Sequence, residues 1–431
     1  MSRESSARSH ARVTFWLALV FAMLVSIPAL ARPMPWAEGG ASNPEDLVIE
    51  IGTYGPGYEV PFWFGHTAIA VTDTRLKQRR LYDYGMFTFN AEFVPKFVRG
   101  RLEFWVGAAN YERRMMYYEQ ADRDARMLEL NLLPARRAQI AQALEEVIKP
   151  ENRNYLYHHF DNNCATAIRD LIDDATDGQF EVWATRTPAR HTLRGHVRRH
   201  AQWSILDFGM MFAMSGVIDR PVTAWEEMFL PTELERHIKA FKYLDDTGAH
   251  VPLFKGEKIY YAAQHRPPTP DDPGPLWPVM LAWGLLAAGV LLGLFHLHSK
   301  SEKRRFRVLA GLYLSFVGFA FGGAGSILLF MWLGTDHDAT HYNENLFFVN
   351  PIWLAYLVVG LMLAFGRASA AKLMLRLAYV LGALSALGLA LGLLPWFEQD
   401  SSLTLVLMIP LTIALVIAAR LANKLPLLPP R

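Results

Sequence analysis

Hydrophobic positions divide the chain into a mixed N-terminal part and a nearly continuous apolar part that begins at Leu276. A helix needs about 20 apolar residues to cross the hydrocarbon core of a bilayer. Five segments of the apolar part meet or approach this requirement, and they are 276–298, 306–333, 351–365, 373–394 and 403–419. The pattern therefore predicts an all-α bundle of five transmembrane helices over 276–431.

In the part before residue 276, hydrophobic residues recur with the spacings of short strands and amphipathic helices. This pattern is typical of a mixed α+β domain. Residues 46–52, 67–72 and 80–85 are β-rich and predict a small antiparallel sheet, with His66 at the start of its second strand. Residues 134–149 have helical spacing. A further helix is predicted after the polar residues 161–163, any of which could cap it, so that Cys164 falls in its first turn.

The two ends of this domain have distinctive compositions. The first 31 residues combine a basic start, an apolar run over 13–27 and an Ala-Leu-Ala site, which predicts a signal peptide or an uncleaved anchor. Residues 267–275 contain five prolines and predict a stiff linker. We therefore expect an exported domain over 33–266, separated by this linker from the membrane domain.

Charge predicts the orientation of the membrane domain. The net charge of +2 offers no basic field for nucleic acid. Lys and Arg are concentrated after the first and third apolar segments and in the C-terminal tail, whereas residues 334–350 and 395–402 contain none. By the positive-inside rule the tail is cytoplasmic and the exported domain is periplasmic. Buried helices of a soluble protein would not produce this alternation.

Cys164 is the only cysteine, so it has no intrachain disulfide partner in an oxidising compartment. A helix N-terminus stabilises a thiolate and its N–H groups can bind an oxyanion. The candidate nucleophile is thus Cys164, with His66 as base and Asp83 as the residue that orients it. The candidate residues around the oxyanion are Asn162, Asn163 and Ala165. The alternatives left open are a buried structural thiol, a core or capping histidine and an edge or turn aspartate.

Two other segments carry candidate chemistry. The loop 336–345 could bind a metal through two histidines and an aspartate, but we favour a role in lining a lipid or head-group site, with an ordinary solvated loop as the alternative. Its candidate residues are His337, His341, Tyr342 and Asn345. No metal and no cofactor is expected. The apolar segment 203–214 either lies in the membrane interface or packs in the core of the exported domain.

Five short motifs follow one another along the chain. They are Trp-Phe-Gly-His-Thr-Ala-Ile-Ala-Val at 63–71, Tyr-Asp-Tyr-Gly at 82–85, Asp-Asn-Asn-Cys-Ala-Thr at 161–166, Trp-Glu-Glu-Met-Phe-Leu-Pro at 225–231 and Asn-Glu-Asn-Leu at 343–346. In this order they resemble the Lnb family of bacterial lipoprotein N-acyltransferases. The order of His66, Asp83 and Cys164 along the chain also resembles the order of the site residues in the permuted papain-like fold of the NlpC/P60 superfamily. This superfamily includes lecithin:retinol acyltransferase and its relatives, the LRAT-like proteins.

The resemblance implies a membrane acyltransferase. Cys164 would take an acyl chain from a membrane phospholipid as a thioester and pass it to the α-amine of a diacylglyceryl-cysteine lipoprotein, with His66 as base and then acid. The partners would be the phospholipid donor, the diacylated apolipoprotein and the inner-membrane bilayer. Two alternatives are a membrane-tethered cysteine peptidase or amidase that acts on peptidoglycan, and a non-enzymatic envelope scaffold.

Overall fold

The computed structural model describes residues 33–88, 90–202, 204–301 and 303–424. The predicted signal peptide at 1–31 lies outside these residues. The chain forms two compact units. The first, here called the sheet unit, contains the described residues up to 88, Leu102–Pro188 and Thr223–Pro268. The second, the membrane unit, contains Asn90–Arg101, Ala189–Val222 and the described residues from Thr269 onward.

Nine strands and fourteen α-helices make up these units in the described residues. The strands are β1 (Leu47–Tyr54), β2 (His66–Asp73), β3 (Gln78–Met86), β4 (Leu102–Ala109), β5 (Ala125–Leu130), β6 (Asn154–Tyr157), β7 (Lys242–Leu244), β8 (His250–Pro252) and β9 (Phe254–Tyr261). The helices are α1 (Phe93–Arg99), α2 (Tyr111–Gln120), α3 (Pro134–Val147), α4 (Cys164–Ala175), α5 (Gln179–Ala184), α6 (Leu193–Ala201), α7 (Ile205–Ala213), α8 (Ala224–Glu227), α9 (Pro231–Ala240), α10 (Trp277–Ser301), α11 (Arg304–Gly334), α12 (Ala355–Ala364), α13 (Ser369–Leu391) and α14 (Ser402–Lys424).

The sheet unit is built on a seven-stranded sheet with the order β6-β4-β3-β2-β1-β5-β9. Every neighbouring pair of strands is antiparallel, which confirms the predicted antiparallel sheet. The three predicted strands correspond to β1, β2 and β3, and the other four strands of the sheet were not predicted. A separate hairpin joins β7 to β8.

Both faces of the sheet are buried, because helices cover each of them. Successive side chains of a strand point to opposite faces. In β1, Leu47, Ile49 and Ile51 contribute to the larger core, which also contains residues of α3 and α4. Ala68 and Ala70 of β2 belong to a second core that includes three residues of α2. The site residues on β2 and β3 are therefore enclosed by helices from two directions.

The membrane unit contains four helices that are long and apolar enough to span a bilayer, namely α10, α11, α13 and α14. The predicted third span, 351–365, is not one long helix. It consists of a 3-10 turn over Pro351–Leu354 followed by α12, because Asn350 caps the turn and Gly366, at a φ of 73°, ends the helix. This segment and Asp338–Phe347 form a pair bent by 58°, so the described residues contain four helices able to span a membrane, or five if the bent pair counts as one span.

Close helix packing in this unit depends on glycine. A Cβ atom on Gly322 of α11 would lie 2.4 Å from the backbone nitrogen of Leu354, and one on Gly325 would lie 2.4 Å from the Cα of Asn350. Both contacts are closer than two non-bonded heavy atoms allow. Any side chain at these two positions would therefore separate α11 from the turn that precedes α12.

Residues 205–213 of the apolar segment noted in the sequence form α7, which belongs to the membrane unit. Phe212 packs against the buried residues of the transmembrane helices. Behind α7, the buried Arg194 forms an ion pair with Asp219 and donates to the carbonyl oxygens of Met211 and Ser215. The segment is therefore fixed to the membrane helices, and packing in the core of the exported domain is the wrong alternative.

Candidate active site

Neighbouring strands bring His66 and Asp83 together. His66 begins β2, as predicted, and β2 pairs with β3, which carries Asp83. The Nε2 atom of His66 lies 2.5 Å from Oδ1 of Asp83. The Asp83 side chain is only 3% exposed, and its second oxygen lies 2.5 Å from a guanidinium nitrogen of Arg114 on α2. The carboxylate is thus held between two cationic groups, one from each side.

Cys164 begins α4, as predicted, and its cap is Asn163. The side-chain oxygen of Asn163 accepts the backbone N–H of Ala165 at 2.8 Å and that of Thr166 at 3.1 Å. In return, the hydroxyl of Thr166 accepts the backbone N–H of Asn163 at 2.8 Å, which completes a capping box. The half-buried Cys164 side chain hydrogen-bonds to His66. Because Nε2 of His66 faces Asp83, Nδ1 is the ring nitrogen left for the sulfur.

The motif at 225–231 supports the start of α4. The side-chain amide of Asn163 donates to the carbonyl oxygen of Phe229 at 3.0 Å and to that of His159 at 2.7 Å. One turn further along α4, Arg169 donates to the carbonyl oxygen of Trp225 at 2.8 Å and lies 3.8 Å from the centroid of its indole ring. These contacts fix the position of the helix end that presents Cys164.

The ionisation of His66 and Asp83 follows from their mutual contacts. Burial alone would lower the pKa of His66, but Asp83 and Cys164 together raise it to about 9. Burial would likewise raise the pKa of Asp83, but Arg114 and then His66 hold it below its ordinary value. At neutral pH the site therefore contains a cationic imidazole beside an anionic carboxylate.

Tyr155 and Tyr157 of β6 lie on the Cys164 side of the site. Burial, and secondarily the charge of Cys164, raises the pKa of both phenols well above the ordinary value. Between Tyr155 and His66 lies Gly85, whose φ of 90° favours glycine. A Cβ atom on Gly85 would lie 3.9 Å from Cε1 of His66 and 3.9 Å from the Tyr155 hydroxyl. The absence of a side chain keeps space open between these two groups.

Two family models match the chain over most of its length. One is described as the Lnb N-terminal periplasmic domain and matches residues 37–199. The other is described as the Lnb transmembrane domain and matches residues 271–424. The chain belongs to the Lnb family. No curated protein and no solved structure matches it significantly.

Membership of the Lnb family confirms the coarser predictions made from the sequence. The chain has a mixed α/β periplasmic domain with an antiparallel sheet, followed by a helical membrane region. Its family domains indicate an inner-membrane multipass enzyme that modifies lipoproteins.

The predicted oxyanion residues of the Lnb domain are engaged in hydrogen bonds within the protein. The amide N–H of Ala165 and both polar atoms of the Asn163 side chain have the partners described above. The side-chain amide of Asn162 donates to the carbonyl oxygen of Leu156 at 2.9 Å. Among the described residues, the N–H of Cys164 is the one amide of the first turn of α4 that has no acceptor in the protein.

The predicted substrate loop belongs to the membrane unit, where its side chains bind neighbouring backbone. Nε2 of His337 lies 2.8 Å from the carbonyl oxygen of Phe97, and Nε2 of His341 lies 3.0 Å from that of Thr335. The amide of Asn345 donates to the carbonyl oxygen of Phe212 at 3.0 Å. Tyr342 is 76% exposed. A role of this loop in substrate binding stays a prediction.

Sequence reasoning missed three residues of the site. Arg114 contacts Asp83 from α2, on the face of the sheet opposite α4, and no local sequence pattern predicts such a contact. Tyr155 gave a weak signal, because Asn154–Tyr157 alternates and carries two tyrosines just before the Cys164 loop. Gly85 closes the motif at 82–85, and its backbone conformation could have been suspected from that position.

Proposed function

We propose that this protein is a cysteine-dependent lipoprotein N-acyltransferase that moves an acyl chain from a membrane phospholipid to a diacylated lipoprotein. The observation that carries the proposal is the contact series from Cys164 to His66 to Asp83 within an Lnb periplasmic domain. A thiol nucleophile, a proton carrier and an orienting carboxylate are the groups that acyl transfer needs. The permuted papain-like fold implied by the order of these residues is part of the proposal.

In the first half-reaction, the Cys164 thiolate attacks the carbonyl carbon of a phospholipid ester. The tetrahedral intermediate collapses with cleavage of the ester C–O bond, which leaves a thioester on Cys164. The lysophospholipid alkoxide departs with the proton of His66 and becomes an alcohol. The raised pKa of His66 supports this step, because the imidazole carries a proton to give at neutral pH.

In the second half-reaction, the α-amine of the diacylglyceryl-cysteine attacks the thioester carbonyl. His66, now neutral, accepts a proton from the attacking amine, and the C–S bond breaks. The products are an amide on the lipoprotein and the original thiolate beside a cationic His66. Asp83 stabilises that cation and holds the ring, while Arg114 is a positioning residue that keeps Asp83 ionised.

Both substrates are lipids, which fits an enzyme attached to membrane helices. A domain on the periplasmic side would meet the donor ester and the lipoprotein terminus at the same outer surface of the inner membrane. The charges of the loops support a cytoplasmic C-terminus for this arrangement. The alternative function, a peptidoglycan peptidase or amidase, would need only a simple membrane tether, and several transmembrane helices are more than such a tether requires.

Mass spectrometry of lipoprotein N-termini tests the proposal in cells that depend on this protein for N-acylation. Cys164→Ala should abolish the N-acyl chain. Asp174→Asn, an exposed change near the other end of α4, should leave it intact. In membranes of the wild type, a labelled phospholipid acyl chain should attach to Cys164 and be released by hydroxylamine.

Other outcomes would support the alternatives. Cys164→Ala cells could have unchanged lipoproteins together with altered peptidoglycan fragments. That result would show that the protein acts as a peptidoglycan hydrolase and not as an acyltransferase. If neither class of product changes, Cys164 is a structural thiol and the protein is a scaffold.

A further inference from the structure

We infer that the Tyr155 hydroxyl, together with the backbone N–H of Cys164, binds the oxyanion that forms when Cys164 attacks an acyl carbonyl. The inference rests on the proposed acyl transfer and adds a residue to it. The reaction passes through two tetrahedral intermediates, one in the formation of the thioester and one in its breakdown. Each concentrates negative charge on a single oxygen, and hydrogen-bond donors aimed at that oxygen lower the barrier.

The first reason is that the donors at the start of α4, apart from the Cys164 amide, are already used. The amides of Ala165 and Thr166 donate to Asn163, and the Asn163 side chain donates to two carbonyl oxygens. Breaking any of these bonds would weaken the cap that positions Cys164. The free amide of Cys164 supplies one donor, and one hydrogen bond is fewer than an oxyanion site usually has. A second donor has to come from outside α4.

The second reason is that Tyr155 has an unused donor. Its hydroxyl oxygen is fully buried and faces the backbone N–H of Gly85, whereas its O–H finds no acceptor among the described residues. A buried donor that is left without an acceptor costs about 1–3 kcal/mol. Such a cost is offset if the group acts on a charge that exists only during the reaction. The raised pKa of Tyr155 keeps the phenol protonated, as a donor must be.

The third reason is the open space beside this hydroxyl. The side chain that Gly85 lacks would lie 3.9 Å from the Tyr155 hydroxyl and 3.9 Å from Cε1 of His66. The space is thus bounded by the candidate oxyanion donor on one side and by the proton carrier on the other. Tyr155 and Cys164 both pack at the edge of the larger core of the sheet unit. A carbonyl carbon bonded to the sulfur could place its oxygen toward Tyr155.

The test is Tyr155→Phe in the full-length protein, which removes the hydroxyl and keeps the ring. The rate of acyl-enzyme formation from labelled phospholipid in proteoliposomes should fall by roughly 100-fold, within the range for loss of one oxyanion donor. The KM for phospholipid should change little. The rate of Cys164 alkylation by iodoacetamide should stay unchanged, because that substitution has no oxyanion.

Tyr84→Phe is the matched control, because Tyr84 is a buried tyrosine whose ring packs 6.4 Å from that of Tyr155. It should keep near-normal acylation. Normal acylation by Tyr155→Phe would overturn the inference and leave the proposed function standing. Parallel losses of acylation and alkylation would also overturn it, since they indicate a purely structural role. If the wild type forms no acyl-enzyme at all, the proposed function fails and the inference fails with it.

Discussion

Arg114 contacts the carboxylate oxygen of Asp83 that His66 does not use, at a distance of 2.5 Å. Arg114 comes from α2 on one face of the sheet, whereas Cys164 comes from α4 on the other. The series from Arg114 through Asp83 and His66 to Cys164 therefore passes through the sheet from one helical layer to the other. The protonation of His66, the proposed partner of Cys164, thus depends on Arg114 in the opposite helical layer.

Arg114→Gln should shift the acid limb of the activity profile to higher pH. Arg114 is the main group that lowers the pKa of Asp83, so without it Asp83 stays protonated to a higher pH and no longer stabilises cationic His66. The measurement is kcat/KM for N-acylation between pH 5 and pH 8. Arg113→Gln, an exposed neighbour on the same helix, is the control. Identical profiles for both variants would show that Arg114 does not tune Asp83.

Stability should fall at alkaline pH through the titration of His66. Its pKa of about 9 lies above the ordinary value of about 6.5, so the folded state binds this proton more tightly than the unfolded state. The resulting stabilisation is complete below pH of about 6.5 and is lost as pH rises through about 9. The melting temperature of the wild type in detergent should therefore decline more steeply over this range than that of His66→Gln. Parallel declines would contradict the assignment.

Loss of the α4 cap should destabilise the sheet unit. Asn163→Ala leaves two amides and two carbonyl oxygens without their partner, and cap removal typically costs about 0.5–2 kcal/mol. We expect a lower melting temperature and slower alkylation of Cys164. Asn162→Ala serves as the control, because this exposed side chain has one hydrogen bond, to Leu156. Equal melting temperatures for the two variants would count against the role of the capping box.

The loop that follows α11 should hold α7 in place. The amide of Asn343 donates to the carbonyl oxygens of Phe212 and Ala213 at 3.1 Å and 2.9 Å. Asn343→Ala should therefore increase hydrogen exchange over residues 205–214. Tyr342→Ala, at an exposed position of the same loop, should not. An unchanged exchange rate in Asn343→Ala would mean that these two bonds do not fix the helix.

Joint replacement of His337 and His341 tests the predicted lipid-binding role of the same loop. If the loop binds the head group, the double alanine variant should raise the KM for phospholipid several-fold. Single changes would separate the two histidines, because His337 contacts Phe97 of α1 and His341 contacts its own loop. Unchanged turnover in membranes would rule out the lipid-binding role. The two histidines would then have only a structural role, through their contacts with backbone carbonyl oxygens.

Local patterns in the sequence predicted the elements that have local causes. The alternation in β1 and the cap before α4 depend on residues within one or two turns, and both predictions are confirmed. Strand β6 was missed because it has only four residues. Arg114 was missed because its contact with Asp83 joins distant segments of chain. The span at 351–365 was predicted as one helix because hydropathy does not distinguish the 3-10 turn Pro351–Leu354 from the α-helix that follows it.

The division of the chain into two units has a consequence for the order of assembly. Asn90–Arg101 and Ala189–Val222 precede the membrane helices in synthesis, yet they belong to the same compact unit as those helices. Both segments therefore emerge before their packing partners exist and must wait until the last helix has been made. A chain that stops at residue 266 would leave α1 and α7 without those partners. The membrane unit thus becomes complete only when translation of its last helix has finished.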